Sequence, residues 1–522
     1  MKQLDSYTIV KSIQKDPYLY LYLLVINIFS FGYIIGFGGY FFRDFSIIFD
    51  GGLRIWHGQM PYRDFFISTG PMVYYIQGLF EWIFGPNTLS MKMHAAVLNS
   101  IVISIFFVYA RNYIDNILAF GMTLLLHFFF YGRLVNPWYD QTALFFYFIA
   151  QIIVLNNIEE EIQWWKLSTV GILIGLSIFS KQDVGGLAFL FVAGQLLLFS
   201  IKNIKYTFIY IFSFTCLIIV TVAYFTSISE FGYWFNYGQD PHSSRLSGAI
   251  LRSLTDLKLL GDFRLYAFIF SIGFILLIRD LSYKSFFNLF MISGFVIFSI
   301  IFKETSGQGK YSSLFFMPFI ALFITRLITQ TKKIEFNKLT RKLAVYLIGW
   351  VFIAYTLELA FWNTFVFKEA IKKNKYVTLE NSSFSGYRFE KEIVEGIEQI
   401  KHELQKGKIN NDKDWFLNMS SYTFLYKDLN IEPPRGMHLY YHRNVTLFDK
   451  DYTEFKKKLK ENHFQYILLQ ELASGTPPLE FREFISSIGY EKILSVDTPK
   501  SGVSSSGRGD RYNATLYKLI IK

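Results

Sequence analysis

The sequence predicts a polytopic α-helical membrane protein carrying a C-terminal α/β domain. Three observations lead there: 52% apolar and 20% aromatic residues against 18% charged, a succession of apolar runs of membrane-crossing length, and an abrupt change to soluble composition after Trp362. Ordinary globular chains carry more charge and less apolar surface. The single cysteine, Cys216, lies inside an apolar run, which excludes a disulfide framework and a cysteine-ligated metal site. A net charge of +11 could serve nucleic acid, but basic residues flanking apolar spans set membrane orientation and meet anionic headgroups. No nucleic-acid partner is expected.

A helix needs roughly 20 apolar residues to cross the hydrocarbon layer, fewer where neighbours shield its ends, and about eleven segments qualify. They lie near residues 19–41, 93–111, 116–132, 142–157, 168–180, 184–201, 207–226, 265–279, 286–302, 312–328 and 343–362. The run that follows the charged start is long enough to span and has no small-residue cleavage site, so it reads as a retained first helix. With the N-terminus inside, Lys2, Lys11, Lys15, Lys202, Lys205, Arg279, Lys284 and the run from Lys332 to Lys342 fall on the inner side. Inner segments are then roughly twice as rich in Lys and Arg as outer loops. An odd number of spans puts the C-terminus outside.

Residues 1–362 form the membrane domain, with interfacial helices expected in the outer loop 43–92, and residues 363–522 form the α/β domain. Within the latter, Glu390 to Lys406 sets Ile393, Ile397, Ile400 and Leu404 on one helical face, and Tyr452 to Asn462 and Leu479 to Gly489 read as further helices. Trp415 to Met419, Phe464 to Gln470, Lys492 to Val496 and Thr515 to Ile521 read as strands.

The loop from Arg43 to Gly85 reads RDFSIIFDGGLRIWHGQMPYRDFFISTGPMVYYIQGLFEWIFG. Asp44 comes directly after the first span, at the depth of a lipid phosphate. An amphipathic segment, a turn at Gly58 to Tyr62, a second turn at Gly70 and Pro71, and an apolar aromatic segment follow, of the kind that lies along a membrane interface. This loop resembles the GT-C superfamily of polyprenyl-phosphate-sugar glycosyltransferases, of the protein O-mannosyltransferase and lipid A aminoarabinose transferase type. Asp44 takes the acidic position that opens the loop; Gly58, Pro61, Tyr62, Asp64 and Phe65 match the middle segment, and Leu79, Phe80, Phe84 and Gly85 match its ending. Phe45 stands where many relatives carry a second acid, so one carboxylate must suffice there. The resemblance implies that Asp44 is the general base toward an acceptor hydroxyl or amine, or binds acceptor or metal. A solvated loop aspartate, or a pair with Arg43, is the plainer alternative.

Weaker likeness continues along the chain. Asp140 in NPWYDQTALFF falls where many relatives have another functional acid, but it also precedes an apolar helix and could cap it. Lys181 in GLSIFSKQDVGG matches a lysine of many relatives at the outer surface; it either meets a lipid phosphate, snorkels, or pairs with Asp183. Lys310, Tyr311, Met317 and Pro318 fit a basic-aromatic pattern heading a late helix, with Lys303 on the same side. With Lys181, Lys303, Lys310, Tyr311 and Arg63 the resemblance implies donor-phosphate binding, because a leaving phosphate needs its charge neutralised; each alone could equally be a headgroup contact. In EFGYWFNYGQDPHSSRL, Trp234 and Tyr237 either stack on a sugar or belt the interface, and His242 and Arg245 are candidate acceptor or phosphate groups.

The implied activity is sugar transfer from a polyprenyl-phosphate or polyprenyl-diphosphate carrier to a glycan, lipid or protein acceptor at the outer face of the inner membrane. No cofactor is assigned, and a divalent metal stays open. A transporter or lipid flippase is the competing class. Such proteins place charge near the bilayer midplane and often show repeated halves, whereas here ionisable residues gather at the outer rim.

Overall fold

The computed structural model describes residues 17–36, 43–128, 130–131, 135–157, 161–199, 204–238, 376–407, 415–439, 446–471, 479–497 and 513–520, with single helical residues between 290 and 325. Helix α1 (Pro17–Gly36) is followed by α2 (Arg43–Trp56), strand β1 (Phe65–Phe66) and α3 (Met72–Phe84). Then come α4 (Thr88–Ala110), α5 (Asn116–His127), α6 (Tyr139–Asn157), α7 (Trp164–Ser180), α8 (Gln182–Phe199), α9 (Lys205–Ile228) and a 3-10 helix at Phe231–Gly238. Of these, α1, α4 and α9 are long and apolar enough to cross a membrane, while α5, α7 and α8 are shorter apolar helices. The expected span 116–132 stops early: its helix ends at His127. The expected spans 265–279 and 343–362 lie outside the described residues, and 286–302 and 312–328 are described only at scattered positions.

Lipid explains which faces are left bare. Helix α9 exposes Phe208, Phe212, Ile219, Val220 and Tyr224, and α1 exposes Leu21, Leu24 and Ile28; in water such faces would be untenable over this length. Some polar groups pair from helix to helix. Asn99 donates to Ser30 Oγ at 2.9 Å and lies 2.8 Å from His127 Nδ1, and Asn27 donates to Ser104 Oγ at 3.0 Å. Small residues set the close approaches. A Cβ on Gly171 would sit 2.7 Å from the Tyr210 carbonyl oxygen, which lets α7 and α9 meet backbone to backbone.

Helices α2 and α3 pack on each other beside the outer end of this bundle. Gly51 and Gly52 permit it, since a Cβ on either would strike the Tyr74 ring or the Gln77 and Glu81 side chains. Helix α3 is amphipathic in the inverted sense. It buries Gln77 and Glu81 and exposes Leu79, Trp82 and Ile83, an arrangement stable only where the outer medium is apolar, as for a helix lying in the headgroup layer.

The C-terminal part holds a four-stranded sheet with order β4-β6-β8-β7, comprising β4 (Phe416–Met419), β6 (Tyr466–Glu471), β7 (Tyr490–Asp497) and β8 (Asn513–Leu519). Strands β4 and β6 are parallel and the other two pairs antiparallel. Its helices are α10 (Lys391–Gly407), the short α11 (Leu425–Asp428), α12 (Tyr452–Asn462) and α13 (Leu479–Ser487). Phe455, Leu459, Phe481 and Ile485 pack against Leu417, Ile467 and Leu469 of the strands. A hairpin of β2 (Tyr376–Thr378) with β3 (Arg388–Glu390) precedes α10.

This part is fused to the outer loops. Strand β5 (Met437–His438) pairs in parallel with β1 of the first loop. Thr423 donates to the Ser46 carbonyl at 2.7 Å, and Thr88 donates to that of Ser383 at 2.9 Å. Lys450 donates to Asn236 at 2.6 Å, and the Tyr387 hydroxyl donates to the Asn136 side chain. The connections after α1, α5 and α9 therefore lie on one face of the bundle, beneath the C-terminal part.

Candidate functional site

Among the described residues, Asp140, Lys181 and Asp183 meet where these connections converge. Asp140 lies in the first turn of α6, so it does not cap that helix from outside. Its Oδ2 accepts a hydrogen bond from Trp138 Nε1 at 2.9 Å, and its Oδ1 is paired with Lys181 Nζ. Lys181 is the residue at which α7 stops. Its extended backbone breaks the helix, its N–H bonds Ser177 O at 2.9 Å, and its carbonyl accepts from Gly185 N at 3.0 Å to begin α8. The break turns the lysine side chain back onto Asp140. Asp183, in the first turn of α8, lies 3.5 Å from the same ammonium.

Asp140 and Lys181 are buried, to 2% and 6% exposure, and Asp183 is part-buried at 9%. Desolvating a charge is tolerated only when it is paired, and here two carboxylates share one ammonium. The cluster thus carries one excess negative charge if all three groups are ionised. Around it, Gln182 Nε2 donates to the carbonyls of Ser68 and Trp234, both at 3.1 Å. Gly70 comes so close to the end of α7 that a Cβ would lie 1.9 Å from the Phe179 carbonyl oxygen. First loop, α7–α8 corner and the 231–238 segment therefore touch around one buried carboxylate.

A second buried polar group joins the first loop to the C-terminal part. Arg54 donates to Asp50 Oδ2 at 3.1 Å, Gln59 Oε1 at 3.3 Å and the Pro434 carbonyl at 2.9 Å, and Gln59 donates to that of Pro433 at 2.6 Å. The guanidinium also faces the rings of Phe65 and Tyr426. Burial pushes the Asp50 carboxyl up to about 6, with Arg54 pulling it down. Burial also drives Glu81 well above the usual carboxylate range, against its bond from Gln77.

Not every expected residue is brought to the Asp140 corner. Asp44 is the second residue of α2, and its side chain lies outside the described part, as does that of Tyr237. Lys303, Lys310, Tyr311, His242 and Arg245 also fall outside the described residues. Arg63 is half exposed and donates to Asp64 at 2.6 Å, beside Arg435 at 3.4 Å from the same carboxylate. Trp234 is buried and stacks on Phe231 at 5.3 Å, with Phe179 at 5.7 Å; the Phe231 side of its ring is not open to a sugar. Among the described residues its indole N–H has no hydrogen-bond partner.

Four residues are not legible as site residues in the sequence. Asp183, two residues after Lys181, reads only as a pairing partner for that lysine. The Asp50 and Arg54 spacing of four residues is a helical ion-pair signature. Lys92 is an ionisable residue at the head of an apolar run, which is itself a signal. Among the described residues no group of three or more His, Cys, Asp or Glu is gathered as a metal site would require.

This geometry defines a class: a polytopic membrane protein whose buried, lysine-paired carboxylate sits under a C-terminal α/β cover. Residues 68–225, less than half of the chain, match the family described as dolichyl-phosphate-mannose-protein mannosyltransferase. The fold is similar to the crystal structure of ArnT from Cupriavidus metallidurans bound to undecaprenyl phosphate, with TM-score 0.50 and 10% identity, covering 95% of this chain and 98% of that one. The oligosaccharyltransferase of Archaeoglobus fulgidus, tethered with an acceptor peptide, aligns at TM-score 0.46 and 12% identity, covering 88% of this chain and 69% of that one. No curated protein matches the sequence significantly. The partial family match and the likeness in fold agree with the resemblance carried by the first loop.

Proposed function

We propose that this protein is an integral membrane glycosyltransferase that moves a sugar from a polyprenyl-phosphate or diphosphate carrier to a glycan, lipid or protein acceptor at the outer face of the membrane. The observation that carries the reading is the buried Asp140–Lys181 pair at the meeting point of the first loop, the α7–α8 corner and the 231–238 segment. A carboxylate taken out of water and held by a lysine and an indole is an expensive arrangement, and such arrangements concentrate at reacting sites.

In this reading Asp44 accepts the acceptor's hydroxyl or amine proton as the new bond to the sugar's anomeric carbon forms. The bond from that carbon to the phosphate oxygen breaks, and the lipid phosphate leaves with the electron pair. Asp140 binds and orients the incoming group, and Lys181 holds Asp140 in place. Arg63, Lys303, Lys310 and Tyr311 supply charge and hydrogen bonds toward the leaving phosphate. The undecaprenyl phosphate in the ArnT crystal is the kind of carrier this site would take. The outward orientation rests on the inner bias of Lys and Arg and on the docking of the C-terminal part against the loops after α1, α5 and α9.

Purified full-length protein in liposomes tests the reading. Labelled sugar supplied on a polyprenyl-phosphate carrier should appear on an acceptor from envelope extract, and only when the carrier is present. Uptake of free labelled solute or flipping of the intact lipid, without any change of the sugar's attachment, would replace the transferase by a transporter.

A further inference from the structure

Lys92 lies in the second turn of α4, and only 6% of the residue is exposed. Its ammonium donates to the Ile35 carbonyl at the end of α1, at 3.1 Å, and sits 5.9 Å from the centroid of the Tyr387 ring. Among the described residues no carboxylate lies within 4.0 Å of it. An ammonium has three N–H donors, and here one meets a carbonyl while the positive charge has only a ring face to lean on. A buried cation without a counter-charge is costly, and a helix has no local need of one at this position.

The placement says which anion completes it. Ile35 is one residue from the outer end of α1, so the ammonium is at the level where the hydrocarbon layer gives way to headgroups. Tyr387, on which it rests, bonds through its hydroxyl to Asn136, four residues before Asp140. Phe384 stacks on Tyr387 at 5.2 Å and meets Phe49 of α2 at 4.8 Å, which ties the same spot to the helix whose second residue is Asp44. Lys181, by contrast, already lies between two carboxylates, which take up its ammonium and leave a phosphate little to hold.

We propose that Lys92 is a binding residue for the phosphate of the lipid-linked donor, entering between the outer end of α1 and Tyr387, while Lys181 serves Asp140. This rests on the transferase reading above and adds a residue to it. A phosphate oxygen takes the N–H donors that are free and supplies the missing charge.

Native mass spectrometry of the full-length protein, titrated with undecaprenyl phosphate, undecaprenol or phosphatidylglycerol, tests it. Lys92→Met should weaken undecaprenyl phosphate binding about 10- to 100-fold, the range of a charge-assisted hydrogen bond, and leave undecaprenol unchanged. Lys92→Arg, which keeps the charge, should stay within about threefold of wild type. Unchanged undecaprenyl phosphate binding in Lys92→Met would overturn the proposal. So would an equal loss of undecaprenol, which would mark a structural role, or a loss confined to phosphatidylglycerol, which would mark a headgroup contact. Should wild type itself bind no undecaprenyl phosphate, the transferase reading falls and this assignment with it.

Discussion

Lys181→Met is expected to lower stability by about 3–5 kcal/mol, the usual cost of removing one partner from a buried ion pair. The residue sits where α7 ends and α8 begins, and its ammonium pairs with both the Asp140 and Asp183 carboxylates. Without it, two acids face each other in a low-dielectric corner and one must take up a proton. Asp140→Asn is far milder, because Lys181 keeps Asp183. The double variant Asp140→Asn/Lys181→Met should therefore recover part of the loss of Lys181→Met alone, a non-additivity expected only of groups in direct contact. Unfolding midpoints of the four proteins in one detergent measure this. A Lys181→Met variant as stable as wild type would mean that the pair does not hold the corner.

Asp50→Ala carries the second large effect, also about 3–5 kcal/mol, and it should exceed that of Arg54→Met. The asymmetry follows from what each group can do when abandoned. A guanidinium cannot shed its proton, so Arg54 without Asp50 stays charged and buried against Pro434 and Gln59. Asp50 without Arg54 protonates, and the cost shrinks to lost hydrogen bonds. The sign of the pH dependence is fixed by the same carboxyl. Its folded value, about 6, lies above the ordinary 3.8, so the folded state holds the proton more tightly. The stability from this group is complete below pH about 4 and is lost as pH rises through about 6. Arg54→Met removes the downward pull and should shift that loss to higher pH. Because this cluster joins α2 to the C-terminal part, thermal midpoints between pH 4 and 8, read with limited proteolysis of the C-terminal part, report it. Equal or greater damage from Arg54→Met at pH 7 would refute the argument.

Much of the helical framework was legible because lipid imposes a simple rule on sequence. Helices α4, α6, α7, α8 and α9 lie within a few residues of the runs read at 93–111, 142–157, 168–180, 184–201 and 207–226. Run 116–132 misled because Phe128 to Phe130 continue the apolar pattern after the helix has ended at His127; hydropathy registers the burial of Phe130 and Tyr131, not their conformation. In the C-terminal part, the runs at 415–419 and 464–470 correspond to β4 and β6, since alternation and flanking turns are local signals. Nothing local announced β1. A strand of only two residues exists because Met437 and His438 come alongside it from far along the chain.

The site was legible residue by residue but not as a constellation. Asp140 and Lys181 each stood out as ionisable groups at the rim of apolar runs, with phosphate binding or capping as their separate roles. Their contact spans forty-one residues and depends on the break at Lys181, which periodicity does not encode. Lys92 is not legible as a site residue because a lysine near a helix end ordinarily snorkels to water; the packing of Ile35 and Tyr387 around it shows that this one does not.

The most direct measurement of the central claim is the initial rate of sugar transfer from a polyprenyl-phosphate-linked donor by full-length Asp44→Asn and Asp140→Asn in nanodiscs, beside wild type of equal unfolding midpoint. Loss of a general base or of a group that orients the acceptor predicts a fall of about 100-fold or more in each. Rates within about twofold of wild type in both variants would contradict it.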